Sequence, residues 1–259
     1  MLNPRFFWLR FALIILLTLT IPETAFASPL AERLQQFPDW DSKPTVQLAQ
    51  GDLVYPDWMA GTWQVTSTLI DLAAPLAPEI VTPGFASNRE NLEQPVQFQV
   101  KFAPQKPTVL GFPVAIFPKY QPIVSQRAFN GVKIAEAYLG KNAVISVKVD
   151  PDNPNRQITF LRGQNQLIST VTGRSSENLT DNQFVATEIN TQVFRSPSQI
   201  YLNEVETTTA YNLLSSGQVQ ADQVTAIYLS PQDPNYFTAA GRPVALYRYN
   251  LDLVPVELD

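Results

Sequence analysis

The stretch Gly61-Thr62-Trp63-Gln64-Val65-Thr66-Ser67-Thr68-Leu69 is where the chain first takes on a period of two. Trp63, Val65, Ser67 and Leu69 fall on one side and Gln64, Thr66 and Thr68 on the other, the pattern of a strand with one buried face. The lead-in, ending Tyr55-Pro56-Asp57-Trp58-Met59-Ala60, has no such pattern. Gly61 lets the chain turn tightly into the strand.

Working outward, Val96, Phe98, Val100 and Phe102 alternate with Gln97, Gln99 and Lys101. Residues 123–129 and 132–139 flank Asn130-Gly131, which predicts a tight hairpin. Residues 143–149 and 157–161 flank a Pro- and Asn-rich turn and predict a second hairpin. Further strands are expected within 166–172, 184–194, 200–211, 219–229 and 244–253. Turn signals separate them and no helical pattern is interleaved. The expected fold is therefore all-β, an antiparallel up-and-down β-barrel of about 8–10 strands, because closure removes exposed edges. Leu30, Leu34 and Phe37 add a short N-terminal helix. Two segments break the rhythm, residues 70–94 and the proline-rich 103–122. Apolar side chains of the second, Phe112 and Phe117 among them, are costly to leave in water and are expected to gate a cavity mouth or meet a partner.

Residues 1–27 read as an export signal: Arg5 and Arg10, an apolar run over 11–21, Pro22, then Ala25-Phe26-Ala27 at small-x-small spacing. The apolar run is about half of the ~20 residues that a membrane helix needs; an uncleaved anchor is the alternative. The expected organisation is a signal peptide at 1–27, an extension at 28–56 and the barrel domain at 57–259. The chain of 259 residues carries a net charge of −5; removing residues 1–27 takes two arginines and one glutamate and leaves −6. So acidic a chain, without a basic cluster, is a poor partner for nucleic acid or anionic lipid. It contains no cysteine and no histidine. That removes disulfides, thiol nucleophiles, Ser-His-Asp triads and the thiolate and imidazole ligands of metals or haem, so no metal or cofactor is expected.

Five motifs together resemble an uncharacterised lipocalin-like family of cyanobacteria and plant chloroplasts. They are Gly61-Thr62-Trp63, Arg127-Ala128-Phe129-Asn130-Gly131, Ala137-Tyr138-Leu139-Gly140, Asp152-Asn153-Pro154-Asn155-Arg156 and Glu204-Val205-Glu206-Thr207. The resemblance covers residues 52–255. It implies a calycin-type barrel placed in the periplasm or thylakoid lumen, with no known reaction and no catalytic residues to carry over. It also implies barrel closure by Gly61, Trp63 and an arginine of the last strand lying across the indole. Arg248 is the matching candidate, for a contact worth about 0.5–2 kcal/mol.

Glu204 and Glu206 share one face of a strand. Facing inward they would be a desolvated acid–base pair; facing outward, ordinary solvated charges. Tyr201, Val205 and Tyr211 occupy the other face and favour the second. Glu136 and Glu188 also fall on expected strands, without a visible partner. Trp58, Phe98, Phe102, Tyr138, Phe160, Tyr228 and Tyr247 are candidates to line an apolar cavity, or else simply fill the core. Three functions follow from these features. The first is a non-enzymatic module holding a small apolar ligand such as a lipid, pigment or quinone. The second is an assembly or stability factor contacting a membrane protein complex. The third is a barrel-pocket enzyme relying on Glu, Tyr and Arg. Cleavage is expected after Ala27, so N-terminal sequencing of the exported protein should begin at Ser28, and a product retaining residues 11–21 would make the segment an anchor.

Overall fold

The computed structural model describes residues 28–105, 108–109, 112–113 and 121–256, the two short internal pieces by backbone alone. Ala25, Ala27 and Phe117 lie outside the described residues. Helix α1 spans Pro29–Gln35 and is followed by β1 (Gln47–Leu48) and β2 (Val54–Tyr55). Strand β3 runs Gly61–Ala73, then come the single turn α2 (Phe85–Asn88) and β4 (Pro95–Pro104). The pair β5 (Thr108–Val109) and β6 (Phe112–Pro113) forms its own small ribbon. Strand β7 (Ile123–Ser125) leads directly into α3 (Arg127–Leu139). An unbroken meander follows: β8 (Val144–Val149), β9 (Arg156–Leu161), β10 (Asn165–Thr180), β11 (Gln183–Arg195), β12 (Ile200–Leu213) and β13 (Val219–Leu229). The one-turn α4 (Tyr236–Ala239) and β14 (Ala245–Pro255) complete the chain.

The protein is all-β, with a short N-terminal helix and one 12-stranded sheet whose strands run antiparallel in the order β2-β7-β4-β3-β14-β13-β12-β11-β10-β9-β8, with β1 added beside β10. Nine of its strands are six residues or longer. The last strand β14 pairs along most of β3, so the sheet curls back on itself into a half-barrel. Gly61 opens β3 at φ 131°, a conformation that L side chains rarely adopt.

The two ends of this sheet do not pair, and α3 stands between them. Here the expected hairpin at Asn130-Gly131 is corrected: residues 127–139 are helical. Ala128, Ala135, Ala137, Lys133, Glu136 and Leu139 are good helix formers, Lys133 and Glu136 pair one turn apart at 3.5 Å, and Gly140 ends the helix at φ 88°. Asn130 and Gly131 serve instead as the two docking points of α3. The Asn130 Oδ1 accepts from the Lys101 backbone N–H at 2.7 Å, and its Nδ2 donates to the Lys101 carbonyl at 3.2 Å and to Ser125 Oγ at 2.9 Å. A side chain thus completes the edge of β4. On the opposite side Gly131 meets β8 and β9 so closely that a Cβ would stand 2.7 Å from Gln157 Nε2 and 2.9 Å from Val147 Cγ1.

Residues 28–43 strap the outer face of the sheet. Leu30, Leu34 and Trp40 pack on Val185, Val224, Ala226, Tyr228 and Leu246. The Arg33 guanidinium lies 3.8 Å from the Trp40 ring centre and forks onto Glu206, with Nε to Oε1 at 2.6 Å and Nη2 to Oε2 at 2.8 Å. Tyr228 donates to Glu206 Oε2 at 2.8 Å and Thr208 to Oε1 at 2.9 Å. Glu206 is therefore neither solvated nor half of a carboxylate pair: it is fully buried under the strap, while Glu204 beside it pairs with Lys43. Period-two reasoning located the face, but the strap that covers it comes from residues more than a hundred and fifty positions away.

Replacing Gly131 with alanine forces α3 off β8 and β9 and is expected to lower unfolding free energy by about 1–3 kcal/mol, the usual range for overpacking. Urea denaturation of Gly131→Ala checks this; an unchanged midpoint would mean that the helix does not bear on the sheet there.

Candidate functional site

Residues of one strand face alternate sides, so β3, β4, β12, β13 and β14 send Val65, Val100, Tyr211, Gln223 and Leu251 to the concave side of the sheet. Helix α3 crosses that side and turns Asn130, Ile134 and Tyr138 toward it. Between them lies a cavity of about 250 Å³. Its apolar walls are Val65, Phe98, Val100, Phe102, Leu251 and Leu253. Tyr55, Tyr211 and Gln223 make a polar corner. Ser67 Oγ and Tyr138 Oη are 3.1 Å apart and tie the end of α3 to β3.

Two smaller compartments adjoin it. One of about 160 Å³ shares Tyr55, Ser125, Asn130 and Ile134 with the main cavity and is otherwise lined by Asp52, Leu53, Arg127, Gly131, Gln157 and Glu188. There Arg127 Nε donates to Asp52 Oδ1 at 3.0 Å and Nη2 to Glu188 Oε1 at 3.4 Å. Arg174 reaches the same Glu188 oxygen at 2.7 Å and the Gly51 carbonyl at 2.6 Å. Two cations and two anions leave this compartment without net charge. The other, about 80 Å³, shares Ser67 and Tyr138 and is lined by Asn88, Asn91 and Gln94. These last three belong to segment 70–94, whose Leu76, Ile80 and Phe85 are buried. Among the described residues no group of three or more acidic side chains is placed to hold a metal ion.

Of the residues expected to line a cavity, Phe98, Phe102 and Tyr138 do so. Trp58 packs at the end of the sheet, beside Leu53 and Met59. Tyr247 belongs to a separate cluster with Leu69 and Phe85, its hydroxyl accepting from Asn88 at 3.2 Å. Phe160 and Tyr228 are corrected to the outer face, Phe160 beneath Lys148 and Tyr228 beneath the strap. Phe112 is described by backbone alone, within β6.

The expected contact of Arg248 with Trp63 is also corrected. In the β3–β14 register Trp63 stands opposite Pro255 and Arg248 opposite Asp71, so the two are at opposite ends of β3. They are on opposite faces as well. Trp63, 4% exposed, packs in the inner core and donates its Nε1 to the Met59 carbonyl at 2.9 Å. Arg248 forks onto Asp222 at 3.0 and 2.6 Å and covers Phe37 at 5.6 Å. Glu188 and Glu136 do have partners, in Arg127, Arg174 and Lys133. Asn130 and Ile134, which share this cavity face with Tyr138, are not reached by a period of two, because their spacing of four belongs to a helix.

Burial raises the phenols of Tyr55, Tyr138, Tyr211 and Tyr249, so they stay neutral beyond the pH at which a tyrosine in water ionises. Burial pushes Tyr211 from 10.0 up to about 12. A group whose folded value is raised contributes stability that is complete below its unfolded value and lost as pH rises through the folded one. Unfolding free energy should therefore fall from pH 10.0 to about 12, and Tyr211→Phe should make that fall shallower. Denaturation curves across this pH range test it; equal slopes would place Tyr211 in water.

A protein family described as "Domain of unknown function (DUF6816)" matches residues 47–257. No curated protein and no solved structure matches the chain. The matched span runs from β1 past the end of β14 and includes every strand of the sheet, α3 and all the residues of the cavity. The chain belongs to the DUF6816 family.

Proposed function

We propose that this protein is exported, to a periplasm or thylakoid lumen, and holds a small and largely apolar molecule in the manner of lipocalin-like carriers. The observation that carries this is the cavity of about 250 Å³ left between α3 and the sheet. A helix pinned at Asn130 and Gly131 could pack flush on the sheet; instead it stands off over an apolar floor with one polar corner. Apolar walls with a few placed polar groups are the usual make-up of small-molecule sites, which run to about 300–1,000 Å³. The volume suits one ring system, or the head of a longer molecule whose tail leaves through an adjoining compartment. Arg5, Arg10 and Ala25-Phe26-Ala27 support export.

Native mass spectrometry of protein purified from its own organism should record a mass above that of the polypeptide. Ile134→Trp, which fills the cavity from the helix side, should lose that excess while unfolding at a similar midpoint. Polypeptide mass alone for the parent protein, or an excess that survives Ile134→Trp, would overturn the proposal.

A further inference from the structure

The hydrogen-bonding groups around the cavity are unevenly committed. Asn130 uses its oxygen and its amide nitrogen on Lys101 and Ser125. Ser125 Oγ is engaged by that amide, and Ser67 Oγ pairs with Tyr138. Gln223 Oε1 accepts from Thr209 Oγ1 at 3.2 Å, which turns the amide of Gln223 and leaves its Nε2 donating to no acceptor among the described residues. The phenol of Tyr211 sits at the same corner, beside Thr209 and Tyr55. Gln223 Nε2 is thus a donor at the cavity corner that no described acceptor engages. Among the described residues no charged side chain lines the main cavity, and the adjoining arginines and carboxylates neutralise one another. An ionised ligand would be desolvated there without a counter-charge. A pure hydrocarbon would leave a donor unpaired, which costs more than never having placed it.

We infer that the cavity selects a neutral, apolar molecule bearing a carbonyl oxygen, and that Gln223 is the residue that reads this oxygen. The inference rests on the binding reading above and narrows it from apolar molecules at large to those with an uncharged acceptor on a ring or at the head of a chain.

The test compares two probes of one skeleton, 2-decyl-1,4-benzoquinone and decylbenzene, which differ by the two carbonyl oxygens. The chain has no cysteine, so the quinone meets no thiol that would capture it covalently. Binding is followed by quenching of intrinsic tryptophan fluorescence for the first probe and by its displacement for the second. The parent protein should prefer the quinone by about tenfold, the factor supplied by one hydrogen bond of about 1.4 kcal/mol. Gln223→Leu, of similar size, should bind both probes about equally and decylbenzene no worse than the parent does. Gln223→Glu, which swaps the donor for an acceptor, should likewise lose the preference and serves if the leucine variant does not fold. Equal binding of both probes by the parent, or a preference that survives in the folded variants, overturns the inference while leaving the binding function standing. Binding of neither probe overturns both.

Discussion

One asparagine side chain holds this protein together in a way no strand does. Asn130 presents an amide to the backbone of Lys101 as a neighbouring strand would, one acceptor and one donor to the same residue. By doing so it lets a helix take the place of missing strands between the two ends of an antiparallel sheet. An open sheet of this size carries exposed edges, which proteins cover or shorten. Here the cover is α3, tied to β4 by Asn130 and brought against β8 and β9 by the absence of a side chain at Gly131. The cavity exists because these two contacts set how far the helix stands from the floor of Val65, Val100 and Leu251.

That arrangement separates the interior by polarity. Apolar side chains of β3, β4 and β14 fill the middle, and charges of the described residues form a closed set at one side, in which Glu188 is shared by Arg127 and Arg174. Such networks are expensive to assemble in a low-dielectric setting unless every member is satisfied. Each of these four side chains keeps some exposure, which limits that cost and argues for a positioning role over a large net stabilisation.

Much of the sheet was legible in the sequence because period two is a direct imprint of one buried face. The strands through Trp63, Phe98, Phe184, Val205, Val224 and Leu251 lie where alternation places them. Alternation does not say which face is concave, so Phe98 and Phe102 were assigned to the cavity and Phe160 and Tyr228 wrongly joined them. The site itself was only partly legible. Its defining helix carries Asn-Gly, a pair that favours a turn locally, and tertiary docking overrode that preference. Gly140 and the alanines around Glu136 were the available signal for a helix. Arg248 failed for a different reason: an arginine on the last strand has two faces and a whole strand length to choose from, and register decides both.

The strap has a consequence for how this family varies. Glu206 lies inside the span that the family shares, residues 47–257, whereas Arg33, Trp40 and the leucines above it lie outside. A buried carboxylate without its cation is among the costlier defects a fold can carry. Relatives whose chains lack a matching arginine upstream should therefore also lack the acid at the position of Glu206, and relatives that keep the acid should carry a strap of similar length. The two positions should drift together across the family, a pairwise signature in a stretch where the upstream partner looks like an unremarkable leader.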